Sequence, residues 1–226
     1  MADTPATTNK DDLSGITVGV LGGTGPQGRG LARRFGAAGL TVVIGSRSVE
    51  RAEETARDLG ETVTGADNAS AARAADVVVV AVPWEGHADL LTGLAGELRG
   101  TVVVDCVNPI GFDKQGAFAL SVEEGSAAEQ AASLLPDSRV VAAFHHVSAV
   151  HLEDPEAGEV DTDVLVLGDD REATDLVQRL ADVIPGVTGV YGGRLRNAHQ
   201  VEALTANLIS INRRYKAHAG LRVSDL

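Results

Sequence analysis

The sequence holds a single cysteine, Cys106, which excludes a disulfide framework and any cysteine-rich zinc or iron–sulfur site. One thiol suits a reducing compartment, so a cytoplasmic location is expected. Aromatic residues are scarce, at 3%. Cations are short as well: 19 Lys and Arg face 32 Asp and Glu, for a net charge of −13. Nucleic acid is therefore not an expected partner, since both phosphate-binding cations and stacking platforms are wanting. No apolar run approaches the roughly 20 residues of a membrane-spanning helix, so no membrane association is expected. The opening MADTPATTNKDDLSG has no basic stretch followed by an apolar one, so it does not read as a signal peptide. Residues 1–15 read as a flexible tail.

Enough apolar residues remain, 44% of 226, for one well-buried domain. Their pattern alternates. Strand-like runs stand at Ile16–Leu21, Thr41–Ile44, Val77–Val82, Thr101–Asp105, Arg139–Ala143, Asp163–Leu167 and Val187–Tyr191. Helical spacing fills Pro26–Ala38, Val49–Leu59, Ala88–Leu98, Ser126–Leu135, Arg171–Ile184 and Asn197–Ala219. Valine-rich strands between helices predict an α/β fold, a Rossmann-type doubly wound parallel sheet with a small C-terminal helical element. The expected division is a dinucleotide-binding domain over 16–193 and a helical segment over 194–226. Residues 108–125 read as an irregular, functional loop. The last helix carries one apolar stripe, Val201, Leu204, Leu208, Ile211 and Tyr215, with Arg213, Arg214 and Lys216 near its end.

The strongest local signal is LGGTGPQG, Leu21–Gly28. Gly23, Gly25 and Gly28 fit G-x-G-x-x-G after a strand and at the opening of a helix. The first glycine would make the tight turn. The second lets backbone approach a pyrophosphate, and the third lets helix pack on strand. The free N–H groups of the helix start then meet the phosphates. The tip of the second strand chooses the dinucleotide. An NAD site places an acid there, to accept from the ribose 2′-OH. This chain reads Gly45-Ser46-Arg47-Ser48, with Arg51 one turn on. Hydroxyls and guanidinium groups suit a 2′-phosphate, which selects NADP. The competing reading of Arg51 is a solvated helix face paired with Glu53 or Glu54.

Three further strand ends should face the ligand crevice. At the first, Val82, Pro83 and Trp84 would border the nicotinamide, Trp84 alternatively being core. His87 would either reach a phosphate or cap its helix. At the second, Val107 is a plausible backbone contact to the nicotinamide ribose, and Cys106 reads as a core residue before a nucleophile. At the third, His145 and His146 point to opposite sides of an extended chain and so make poor co-ligands for one metal. Each is either a contact to a second ligand or a hydrogen-bonded structural histidine. No metal site is expected. No nucleophile elbow and no Tyr-x-x-x-Lys dyad occurs: Tyr191 and Tyr215 have no lysine four residues on. No catalytic acid or base is assigned, which suits a reaction in which the protein positions two redox partners.

With these pieces the chain resembles the F420H2:NADP oxidoreductases, which use the deazaflavin coenzyme F420. The likeness spans residues 16–226. It rests on VGVLGGTGPQGRGLARR, VVIGSRSVERA, VVVVAVPWEGH, HHVSA and HQVEALTANLISINRR. The resemblance implies NADP contacts at Thr24, Gly25, Pro26 and Gln27, and 2′-phosphate contacts at Ser46, Arg47 and Arg51. It implies Val82, His87, Val107 and Ala149 further along the cofactor. Gly86 stands where the family can have histidine, and Ser148-Ala149 where it has Pro-Ala. The implied chemistry is direct hydride transfer between nicotinamide and deazaflavin, with the protein orienting both. His145, His146, Val147 and Ala149 become candidates on the deazaflavin side, and so does the cationic last helix, because F420 carries a phosphodiester and a glutamate tail. A homodimer is expected, with the stripe of the last helix as its surface. The alternatives are an NADP-dependent reductase of imines or small carbonyl acids, and an NADP-binding redox sensor without turnover.

Overall fold

A computed structural model describes residues 13–156 and 158–226. The chain begins with β1 (Thr17–Leu21), α1 (Pro26–Ala37), β2 (Thr41–Ser46), α2 (Val49–Leu59), β3 (Val63–Asp67), α3 (Asn68–Ala74), β4 (Val77–Val80) and α4 (His87–Leu94). It continues with β5 (Val102–Asp105), β6 (Ile110–Asp113), β7 (Gly116–Ala119), α5 (Ala127–Leu134), β8 (Arg139–Ala142) and α6 (Ala149–Glu153). It closes with β9 (Thr162–Gly168), α7 (Arg171–Asp182), β10 (Val187–Gly193) and α8 (Ala198–Tyr215).

Eight strands form one sheet in the order β10-β9-β8-β5-β4-β1-β2-β3. Period-two alternation sends Val77, Val79, Val102 and Val104 into one core and Val78, Val80 and Val103 into the other. Burial on both faces is what the unbroken valine runs require. Each such side chain contributes about 1.5–3 kcal/mol relative to an exposed one.

Contrary to the expected all-parallel sheet, β8 and β9 pair antiparallel. The chain leaves β8, turns through the short α6, and re-enters the sheet from the same edge. β9 and β10 therefore run against the other six strands. The start of β9 consequently lies on the side of the sheet where β1, β2, β4, β5 and β8 end.

Three other segments depart from the sequence reading. β3 and α3 fall in VTGADNASAARA, where no apolar run marks a strand; Asp67 starts the helix by accepting from the Ser70 N–H at 2.8 Å. The expected loop over 108–125 contains the β6–β7 hairpin, turned where Asp113 accepts from Gln115 and Gly116 N–H groups. α6 starts at Ala149, and Arg34 of α1 satisfies the carbonyls at its end by donating to His151, Leu152 and Asp154. Of the expected tail, residues 1–12 lie outside the described residues, while Leu13 is buried in the core.

Candidate cofactor site

The turn from β1 to α1 divides its glycines by task. Gly22 carries φ +77°, and a Cβ there would lie 2.6 Å from the Ala81 carbonyl oxygen. The left-handed turn is thus at Gly22, not at Gly23 where the motif placed it. A Cβ on Gly28 would sit 2.6 Å from the Gly22 oxygen and 2.8 Å from the Gly23 Cα, so its role is the close approach of helix to loop. Gly25 differs: its φ of −86° suits any residue, and the nearest atom to a Cβ is 3.4 Å away. Nothing in the fold requires glycine there, and the bare backbone faces a cleft. Gly25 also caps α1 without a side chain, with Pro26 at the first helical position and no acid in the first turn. The N–H groups of that turn are left for an anion.

The cleft has a volume of about 720 Å³ and lies at the C-terminal ends of β1, β2 and β4. Gly22, Thr24 and Gly25 form one wall, Ser46, Arg47, Ser48 and Arg51 a second, and Ala81, Val82 and Pro83 a third. At the β2 tip Ser46 Oγ accepts from Ser48 N–H, and Ser48 Oγ caps α2 through the Arg51 N–H. Among the described residues neither Arg47 nor Arg51 forms an ion pair; Arg51 is not held by Glu53 or Glu54. The carboxylate aligned with Ser46, Asp67 of β3, is committed to the Ser70 N–H and hydroxyl, which lower its pKa. The second wall therefore offers uncompensated cation and no available acid.

His87 is corrected. Its side chain is fully buried and turns away from the cleft. Nε2 lies 2.6 Å from Asp105 Oδ2, and Nδ1 lies 3.0 Å from Gln130 Oε1. Burial opposes the charged imidazole, but these partners outweigh it and raise the pKa. It neither reaches a phosphate nor caps α4 with its side chain. Trp84 belongs to a short 3₁₀ turn and packs against the His87 ring at a tilt of 32°, with ring centroids 5.5 Å apart.

The segment after β8 is a buried turn, not an extended strand end. Phe144 has φ +62°, a conformation costly for a bulky residue, and packs edge-on against Phe35. Gln27 donates its side-chain N–H to the Phe144 carbonyl at 3.1 Å, so that amide is committed to the protein. Both histidines are buried, at 4% exposure. His146 Nε2 donates to the Asp163 carbonyl at 2.7 Å, which makes it structural. The His145 ring faces the Val107 backbone, and burial pushes its pKa down to about 4. Val107 and Val147 are buried beside this turn, and Ala149 opens α6 half-buried.

Of the sequence candidates, the cleft brings together Thr24, Gly25, Ser46, Arg47, Arg51, Val82 and Pro83. Gly23 and Gly28 pack inside the loop, and Pro26 stands exposed at the helix start. Gln27, His87, Val107, His145, Val147 and Ala149 do not line it. Four residues escaped the sequence reading. Asn68 lines the cleft with its Oδ1 buried and unpartnered. Thr205 donates to the His145 carbonyl at 3.1 Å. Glu202 accepts from the Ala127 and Ala128 N–H groups at the start of α5, and burial pushes its pKa up to about 7. Asp105 holds His87. Only Asp105 gave a signal, as a lone acid ending a valine run. Cys106 is a core residue: its thiol donates to the Val80 carbonyl, and burial raises its pKa far above the ordinary range. No helix among the described residues is long and apolar enough to cross a membrane.

A mostly parallel sheet with a glycine turn, an open helix N-terminus and a cationic strand tip is a Rossmann-type dinucleotide-binding protein. Residues 17–109 match the family described as NADP oxidoreductase, coenzyme F420-dependent. The chain is 39% identical over 223 residues to the F420-dependent NADP reductase of Methanothermobacter marburgensis, covering 93% of this chain and 99% of that one. It is 37% identical to the Methanocaldococcus jannaschii enzyme of the same name, over 93% of this chain and 99% of that one. A crystal structure from an Arthrobacter species, described as a candidate F420-dependent NADP reductase, superposes with a TM-score of 0.80 at 24% identity, over 93% of this chain and all of the other. The chain belongs to the F420-dependent NADP reductase family.

Proposed function

We propose that this protein transfers a hydride between NADP(H) and coenzyme F420, both bound as substrates. The observation that carries the reading is the cleft. It joins a bare glycine turn at a helix N-terminus to two unpaired arginines and two serine hydroxyls, in a chain of this family. Thr24, Gly25 and the first turn of α1 hold the pyrophosphate. Ser46, Arg47 and Arg51 hold the 2′-phosphate, the group that separates NADP from NAD. Val82 and Pro83 border the nicotinamide half. The deazaflavin takes the side bounded by His145, Val147 and Ala149. Neutral His145 adds no charge beside the nicotinamide.

The chemistry is a hydride passing directly between nicotinamide C4 and deazaflavin C5, while the proton that balances the reaction exchanges between the deazaflavin ring and solvent, so no protein acid or base is assigned. The protein's share is to hold the two carbons about 3–3.5 Å apart and to keep water out. The cytoplasm is the compartment, and a homodimer the assembly. Support for the dimer comes from apolar side chains left exposed on α8, Ile211 and Tyr215, and on the hairpin packed beside it, Phe112 and Phe118.

The test mixes the protein with NADPH and oxidised F420 and follows the deazaflavin absorbance. Loss of that absorbance with NADPH, and much slower loss with NADH, is the expected result. Tight NADP binding without turnover makes the protein a sensor. Turnover of cyclic imines with none of F420 makes it an imine reductase.

A further inference from the structure

The buried His87–Asp105 pair lies behind the cleft, and its contacts reach the turn after Pro83, the Val107 backbone and α5. Both ring nitrogens of His87 face acceptors. Gln130 Nε2 is directed at the Glu124 carboxylate, 3.3 Å from both oxygens, which fixes the amide with Oε1 toward His87 Nδ1. His87 Nε2 meets the Asp105 carboxylate, whose other oxygen accepts from the Val107 N–H at 2.9 Å. On the far side, the His87 backbone N–H closes the 3₁₀ turn by bonding to the Trp84 carbonyl, and the Trp84 ring packs at a tilt against the imidazole. That turn begins directly after Val82 and Pro83. Asn108 continues the line by donating to the His145 carbonyl, which also accepts from Thr205. One fully buried pair thus joins the ends of β4, β5 and β8.

We propose that His87 and Asp105 form a positioning latch for the nicotinamide half of the cleft: the pair touches neither cofactor but fixes the Val82–Pro83 wall and the Val107 backbone relative to each other. This rests on the reading of the cleft as an NADP site. The physical case is that two loops at neighbouring strand ends share no covalent tie. A buried pair whose hydrogen bonds are all satisfied holds them in one arrangement, whereas removing one partner strands the other in the interior. Hydride transfer is sensitive to errors on the order of 1 Å, so such a latch acts on catalysis without contact. Gln130 and Glu124 orient the imidazole from α5 and its approach, so the latch extends to the surface of the protein.

The experiment compares binding of NADP with that of 2′,5′-ADP, which has the adenosine and 2′-phosphate but no nicotinamide. Variants are His87→Gln, His87→Leu and Gln130→Leu, each checked for folding by circular dichroism. The latch predicts that affinity for 2′,5′-ADP stays within about twofold. The advantage of NADP over 2′,5′-ADP should fall by about tenfold in His87→Leu and less in His87→Gln, which keeps a polar side chain. kcat with F420 should follow the same order, per folded molecule. Gln130→Leu leaves both strand ends untouched and should lower kcat by a smaller factor, which keeps the test alive if His87→Leu does not fold. Equal loss of both ligands, or lower thermal stability with unchanged binding ratio and kcat, would overturn the latch. If wild type binds NADP but does not turn over F420, the hydride-transfer reading fails while the binding ratio still decides the latch.

Discussion

His145 and Glu202 are buried within the same region and have pKa values displaced in the same window, with opposite consequences for stability. His145 stays neutral in the folded protein down to about pH 4, because burial disfavours the imidazolium. In the unfolded chain it takes up a proton near 6.5. Below that value the unfolded state therefore binds more protons, and the stability associated with His145 is lost as pH falls toward 4. Glu202 keeps its proton up to about pH 7, because burial disfavours the carboxylate, while the unfolded chain releases it near 4.5. Here the folded state binds more protons, and stability is lost as pH rises from 4.5 to 7. At about 1.36 kcal/mol per pH unit, each effect spans roughly 3 kcal/mol over its full range. Neither needs discounting for solvent, since the two side chains are only 4% and 3% exposed. Urea midpoints between about pH 4.5 and 6.5, for wild type, His145→Leu and Glu202→Gln, would separate them. Relative to wild type, His145→Leu should gain about 2–3 kcal/mol as pH falls across that interval. Glu202→Gln should gain a similar amount as pH rises across it. His146, whose pKa burial lowers, and His87, whose pKa its partners raise, remain in all three proteins; His146 couples to His145 and His87 to Glu202, so the differences include those couplings. Parallel pH profiles for wild type and His145→Leu would show that the imidazole protonates normally in the folded protein. The account of that turn would then be wrong.

The other predictions concern binding. Arg47→Ala should weaken NADPH by roughly 10- to 100-fold, the worth of one charged hydrogen bond of about 1.5–3 kcal/mol, and leave NADH almost unchanged. Equal losses in the two Michaelis constants would remove the 2′-phosphate assignment. Gly25→Val should fold normally and lose NADP binding, because a Cβ there meets only open cleft and one atom at 3.4 Å. Gly28→Ala should instead lower the melting temperature, since its Cβ would press on backbone at 2.6 Å; matching melting curves for the two variants would contradict this division. Ala149→Leu should slow turnover of F420 while leaving 2′,5′-ADP affinity intact, and an unaltered kcat would take α6 out of the deazaflavin side.

How far the sequence could be read follows from which interactions are local. The strands of the two cores were legible because the valine runs Val77–Val80 and Val102–Val104 must be apolar on both faces, and the glycine turn because strand, turn and helix adjoin in sequence. The 2′-phosphate residues were legible for the same reason: Ser46, Arg47 and Arg51 lie close together along the chain. β3 was not legible, because VTGAD at the sheet edge is only half buried and carries no apolar run. The antiparallel entry of β9 was not legible either. It depends on where the chain lies after β8, which is set by Arg34 reaching across from α1 to cap α6.

The misreading of His87 shows the limit most clearly. Its position after a crevice-forming strand end is what a phosphate contact would have, and nothing local distinguishes the two roles. The difference is made by Asp105, 18 residues on, and Gln130, 43 residues on, which turn the ring inward. The acid that takes His87 out of the cleft also fixes Val107 through its second oxygen. Residues that touch the cofactor are recorded in short motifs. The side chains that set the distances between those motifs are scattered along the chain, and only the folded structure brings them together.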